Sequence, residues 1–99
     1  MSITITGGKA SDVKDPDAVL DYVFDWSAWL AGNTPPETLA QHEVIVVGCT
    51  LLASMRADGK VTARIGGGTV GTAATVTCRI TTNTGQVDDR TLTLKIKET

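Results

Sequence analysis

Ninety-nine residues, 41% of them hydrophobic and 20% charged, supply one modest core and leave too little chain for an elaborate active-site superstructure around it. A formal net charge of −2 gives no broad attraction to nucleic acid or to an anionic membrane surface, so neither is expected as a partner. The most apolar stretch, Val44 to Met55, is interrupted by Gly48, Thr50 and Ser54 and falls far short of the roughly 20 residues of a spanning helix, so it is expected in the core.

The first residues, Met-Ser-Ile-Thr-Ile-Thr, have neither the basic flank nor the apolar centre of a secretory signal, which points to folding in the cytosol. Ile3 and Ile5 alternate with Thr4 and Thr6 and predict a short strand. Next comes an acidic string, Asp15, Asp17, Asp21 and Asp25. A calcium loop starting at Asp15 needs Gly and Glu where this chain has Leu20 and Trp26, so solvated carboxylates are expected and no metal.

The segment from Asp17 to Leu30 fits two periods. Val19, Tyr22, Val23, Trp26, Trp29 and Leu30 form a helical stripe, with Pro16 near a first-turn position and Gly32 beyond the end. Leu20, Tyr22, Phe24 and Trp26 also alternate with Asp21, Val23 and Asp25, and the aromatic and β-branched content weighs toward a strand. Either way, all four aromatic residues of the chain lie here, and the bulkiest part of the core with them. Asn33-Thr34-Pro35-Pro36-Glu37 follows as a loop, because proline donates no ladder hydrogen bond and restricts the residue before it.

Ala57-Asp58-Gly59-Lys60 is a hairpin turn joining the apolar run to a strand in which Val61, Ala63 and Ile65 alternate with Thr62 and Arg64. Gly66 to Thr72 is too glycine-rich for the interior of an element and is expected to cross from one sheet to another. Its Gly66, Gly68 and Gly71 have dinucleotide-fingerprint spacing, but a strand follows where a helix N-terminus is required, and Thr72 stands where a phosphate-loop lysine belongs. No nucleotide and no other cofactor is expected.

From Ala73 to Lys97 the chain alternates strictly: Ala74, Val76, Cys78 and Ile80, then Leu92, Leu94 and Ile96, against mostly threonine and charge. The intervening Asn83-Thr84-Gly85-Gln86-Val87-Asp88-Asp89 makes the two strands an antiparallel hairpin. Six or seven short strands at close spacing predict an all-β fold, an immunoglobulin-like antiparallel β-sandwich forming a single domain over residues 1–99, with a small barrel as the alternative.

Little in the sequence suggests catalysis. His42 is the only histidine and no nucleophile motif accompanies it, so a structural role is expected and the chain is read as a non-enzyme. Cys49 and Cys78 sit in apolar runs and are expected reduced, as small hydrophobes. Arg79, Asp88, Asp89 and Arg90 bring opposite charges to the closing hairpin. They are candidate partner contacts, a solvated salt bridge at the turn being the plainer alternative.

Two groups of residues carry a family resemblance. Lys14-Asp15-Pro16-Asp17, Leu20-Asp21-Tyr22, Asp25-Trp26-Ser27 and Leu30-Ala31-Gly32 resemble the opening of small tailed-bacteriophage fibre-tail adaptor proteins. Gly67-Gly68-Thr69, Gly71-Thr72, Val76-Thr77, Arg79-Ile80-Thr81-Thr82, Gly85 and Asp88-Asp89-Arg90-Thr91 resemble the same family's closing strands. The middle, about Gln41 to Val61, departs through its apolar Val44-Ile45-Val46-Val47 and Leu51-Leu52.

The resemblance implies a β-sandwich virion protein near the head–tail junction, made in the host cytoplasm and present in several copies among portal, tail, fibre or capsid proteins. It favours the strand reading of Tyr22 to Trp26 and brings no catalytic residue with it. A tail or neck adaptor is the first functional expectation and a capsid decoration protein the second. An apolar strand of such a protein is expected to be covered on assembly.

Overall fold

The computed structural model describes residues 2–5, 9–32, 35–57 and 59–98. Thr6 of the expected first strand, Asn33 and Thr34 of the proline loop and Asp58 of the expected turn lie outside the described residues. The elements in chain order are β1 (Ser2–Ile5), β2 (Lys9–Lys14), β3 (Leu20–Asp25), α1 (Ser27–Ala31), β4 (Leu39–Val47), β5 (Thr50–Ala57), β6 (Lys60–Gly66), β7 (Ala73–Thr82) and β8 (Val87–Ile96). They form two four-stranded sheets, β1-β3-β6-β5 and β2-β8-β7-β4, stacked as a sandwich around one core.

The closing hairpin forms as its alternation requires. β7 and β8 pair antiparallel with Ala74 opposite Leu94 and Val76 opposite Leu92, so that Ala74, Val76, Cys78, Ile80, Leu92, Leu94 and Ile96 all point into the core. Its turn is held by Thr82: the backbone N–H donates to the Gln86 carbonyl at 2.8 Å, and the side-chain oxygen accepts from the Gln86 N–H at 3.1 Å.

The two-period segment uses both periods in succession. Leu20–Asp25 is a strand between β1 and β6, which puts Tyr22 and Phe24 on the inner face with Trp26 just beyond. Burying a side chain such as Phe24 contributes on the order of 1.5–3 kcal/mol. The strand stops where the Asp25 carboxylate accepts hydrogen bonds from the Ser27 N–H at 2.9 Å and the Ser27 hydroxyl at 2.6 Å. One helical turn follows and tucks Leu30 and part of Trp29 under the sandwich.

Three features differ from the sequence reading. The described residues hold eight strands rather than six or seven, because the polar Lys9–Lys14 is a strand. Both sheets are mixed rather than antiparallel, since β1 runs parallel to β3 and β2 parallel to β8. The apolar Val44–Met55 is only partly core: Val44, Val46 and Cys49 pack against it, but Gly48, at φ +88°, and Cys49 break the run into two edge strands, and Ile45, Val47, Leu51, Leu52 and Met55 are exposed. Each sheet ends at this point, and no further strand among the described residues covers them.

One end of the sandwich is tied by Lys14, only 1% exposed, whose Nζ donates to the carbonyls of Gly67 at 2.6 Å and Asp15 at 2.9 Å. This anchors the glycine-rich crossing between β6 and β7, which carries the chain from one sheet to the other as expected. Beside it, burial, with smaller contributions from Asp12 and Cys49, pushes the Tyr22 phenol up to about 12. Its hydroxyl is buried without a hydrogen-bond partner among the described residues.

In this crossing Gly68 has φ +111°, and a Cβ placed there would lie 2.7 Å from Ile96 Cδ1 and 2.9 Å from its Cγ1. Ile96 is itself packed in the core and cannot give way cheaply. Gly68→Ala is expected to lower unfolding free energy by about 2–4 kcal/mol, combining backbone strain with overpacking. Gly85→Ala, at φ +95° but facing open space, is expected to cost only about 1 kcal/mol. Urea denaturation of the two variants gives the comparison.

Candidate functional site

The four candidate partner contacts separate into two environments. Arg79 on β7 and Asp89 on β8 stand directly opposite one another on the outer face and form a two-pronged ion pair, Nε to Oδ1 at 2.8 Å and Nη2 to Oδ2 at 3.2 Å. The pair holds the Asp89 carboxyl below its ordinary range and raises the Arg79 guanidinium. Asp88 is exposed beside it, its carboxylate accepting the Asp89 N–H at 2.9 Å. The side chains of Arg79 and Asp89 are 48% and 43% exposed, so the pair is a solvated face feature with both charges internally matched.

Arg90 points the other way. It is 7% exposed, its guanidinium carbon lies 3.9 Å from the centre of a Trp26 ring, and Nη1 donates to the Asp25 carbonyl. Burial lowers its pKa, while Asp88, Asp25 and Cys78 oppose that shift. Trp26 also meets Trp29 edge-on at 5.7 Å. Its indole N–H lies close enough to the Cys78 sulfur to temper that thiol, though no hydrogen bond of ordinary geometry forms. Burial, the larger effect, pushes Cys78 up to about 11. Cys49 and Cys78 are both free thiols. Arg90 therefore belongs to the core end of the sandwich, whereas Arg79, Asp88 and Asp89 share a surface.

A second ion pair of the same form lies on the other sheet, where Arg64 Nε and Nη2 reach Asp21 Oδ1 and Oδ2 at 2.8 and 3.2 Å. With Ala53, Ser54, Met55 and Thr62 it lines a shallow groove of ≈ 250 Å³ along β5. All eight residues of β5 are exposed. Met55 at 64%, Val47 at 63% and Leu52 at 52% are the most exposed apolar side chains of the β4–β5 pair. Leu52 and Val19 roof Gly66 on the outer face of β6, so the apolar surface runs on from the edge across the sheet. Composition marked this run as apolar but not as exposed. The available signal was the lack of period-two alternation in Thr50–Ala57, where Leu51 and Leu52 fall at a register shift.

Across the seam between the two sheets, Arg56 Nη1 lies 2.9 Å from His42 Nδ1, and His42 Nε2 lies 3.4 Å from Ser54 Oγ. A guanidinium only donates, so Nδ1 is the acceptor and the ring proton sits on Nε2, facing Ser54. That tautomer cannot accept a proton from the serine hydroxyl, and the arrangement is a bridge between sheets rather than a nucleophile and its base. Among the described residues no three His, Cys, Asp or Glu side chains cluster as metal ligands.

The chain matches the family described as "Podophage GP4 fiber-tail adaptor protein gp77" over residues 14–95. No curated protein matches it. The matched span takes in β3, the edge strands β4 and β5, and all but one residue of the closing hairpin, and leaves out β1 and all of β2 but Lys14.

Two outcomes follow from these environments. Arg90→Ala is expected to destabilise by about 2–4 kcal/mol through loss of the ring contact and the charge-assisted hydrogen bond, with Arg90→Lys recovering part of it in thermal or urea unfolding. Burial and the neighbouring Arg56 hold His42 below its usual pKa, so the unfolded chain binds this proton more readily than the folded one. Its contribution to stability is fully present above about pH 6.5 and declines as pH falls through and below that value. Unfolding curves between pH 7.5 and 5, on the order of one unit to either side, are expected to show a shallower decline for His42→Gln.

Proposed function

We propose, from the premise that this chain belongs to the podophage fiber-tail adaptor family, that it joins fibre or other tail components to the particle at the tail or neck. The observation that supports this reading is the exposed β4–β5 pair. A free-standing sandwich has no use for apolar side chains on both outer faces of one edge and along the seam between them, whereas an assembled protein buries them against its neighbours. The matched ion pairs fit the same reading, because they put polar groups on the flanking faces around the apolar surface.

The chemistry of the chain points the same way. Its buried titratable groups serve the fold: Lys14 ties the crossing loop and Arg90 closes the Trp26 end. The His42 tautomer is wrong for base catalysis. The chain acts as a connector made of surface rather than as an enzyme.

The tests are assembly and location. Mixed with the portal, tail and fibre proteins of its own phage, the chain is expected to co-elute with one of them on size exclusion, and its density is expected at the tail–fibre or neck position in a reconstructed particle. Density on the head lattice instead would mean a decoration protein. Leu52→Lys and Met55→Lys are expected to retain the parent melting temperature and to reduce incorporation into particles at least tenfold, the cost of about 1.4 kcal/mol or more at the contact.

A further inference from the structure

From the register of the two sheets we infer that the β4–β5 edge of one copy receives the β1–β2 edge of a second copy, extending both sheets head to tail. The inference rests on reading the β4–β5 pair as an assembly surface and names what covers it. Among the described residues four strand edges carry no further strand: β5 and β1 at the two sides of one sheet, β4 and β2 at the two sides of the other. β1 is parallel to β3, and β5 is antiparallel to β6, which is antiparallel to β3, so β1 and β5 run in the same direction. The same reasoning makes β2 and β4 parallel. A neighbour in the same orientation therefore offers β1 to β5 and β2 to β4 together, in the parallel mode by which β1 and β2 already join their own sheets.

The levels also match. Ser2, Ile3, Thr4 and Ile5 lie, through β3 and β6, at the heights of Ala53, Ser54, Met55 and Arg56, four consecutive residues of the regular stretch of β5 beyond its register shift. In the other sheet Lys9, Ala10 and Ser11 lie at the heights of Ile45, Val46 and Val47. Lateral addition thus sets the regular part of β5 beside the whole of β1, and the exposed Ile45 and Val47 beside β2. Charge agrees with this placement. Lys9 falls at the level of Ile45, two residues along the outer face from Glu43, and a diagonal cross-strand pair of about 7–8 Å is within reach of these side chains. Neither residue has an ion pair among the described residues.

Pairing β5 with β5 of another copy covers less. It leaves β1 and β2 unpaired and brings no cation to the β4 edge beside Glu43, whose own cross-strand neighbour Arg79 is already paired with Asp89. Head-to-tail addition covers all four edges with one type of contact, and it is heterologous, so each copy can take a further one.

Disulfide trapping tests the arrangement in the full chain with Cys49→Ser. Thr4 and Met55 are exposed and share a level, but within one chain they are separated by three strand spacings, about 14 Å and beyond disulfide reach. Thr4→Cys and Met55→Cys chains, one isotope-labelled, are mixed and oxidised. The expected product is a mixed dimer linking residue 4 of one chain to residue 55 of the other, weakened at low salt by Glu43→Lys and restored when Lys9→Glu is added on the neighbouring chain. Only Met55→Cys homodimers, or no linked dimer from variants that melt like the parent, would overturn the inference. Co-elution with tail proteins in the absence of the mixed dimer would overturn this inference alone and leave the adaptor reading standing.

Discussion

The sandwich closes on Trp26. This one residue ends β3, and its N–H donates to the Gly59 carbonyl in the turn between β5 and β6 at 2.9 Å, while its carbonyl accepts the Leu30 N–H of α1 at 2.9 Å. Its ring is covered by Arg90 from the opposite sheet and by Trp29 from the helix. Two sheets, one helix and one turn therefore meet at a single residue, the turn and helix through its backbone and the opposite sheet through its ring. Burying a guanidinium there costs desolvation, which the ring face, the Asp25 carbonyl and the nearby carboxylates offset. At the opposite end Lys14 does comparable work with two carbonyls. The core between them is left purely apolar, apart from the Cys78 thiol and the Tyr22 hydroxyl.

The outer faces follow a different logic. On each sheet one arginine and one aspartate sit directly opposite one another and neutralise their charges locally. This is weak as a stabilising device, since both pairs are solvated, but it prevents those faces from acting as attractive patches of either sign. The edges are guarded unevenly. β2 carries Lys9 and turns Asp12 and Lys14 inward, while β4 and β5 each contain a register shift. Along these two strands the exposed apolar residues have no covering element among the described residues.

The legible parts of this fold are those in which local pattern and burial agree. The Ala73–Lys97 hairpin, the Val61–Ile65 strand and the Gly66–Thr72 crossing were all readable because each places apolar residues on one face or glycine where the chain must turn. The Asp17–Leu30 segment was ambiguous for a sound reason, since it changes from strand to helix at Trp26 and both periods are real. β2 escaped notice because its inward positions are Ala10, Asp12 and Lys14, and a strand whose buried terminus is a lysine has no hydrophobic signature. Val44–Met55 is the opposite case: Val44 and Val46 face the core as their alternation requires, whereas Thr50–Ala57 lacks alternation and lies at the end of its sheet, so its apolar residues stay exposed. Of the candidate contacts, the charges were visible, but that Arg90 faces inward depends on Trp26 arriving from a distant strand.

The parallel placement of β2 has a consequence for how the chain is made. Residues 9–14 pair only with residues 91–96, and the antiparallel partner that holds those residues in place begins at Ala73. During synthesis β2 therefore emerges long before its partner exists, and its sheet is incomplete until β8 has left the ribosome, whereas the β1-β3-β6-β5 sheet needs nothing beyond Gly66. A chain of such high contact order folds as a late, cooperative event. Lys14 stays in water until then, and the two sheets close on one another around a shared core only once β8 is in place, so the Lys14 tie and the Arg90–Trp26 contact form as late features of the same event.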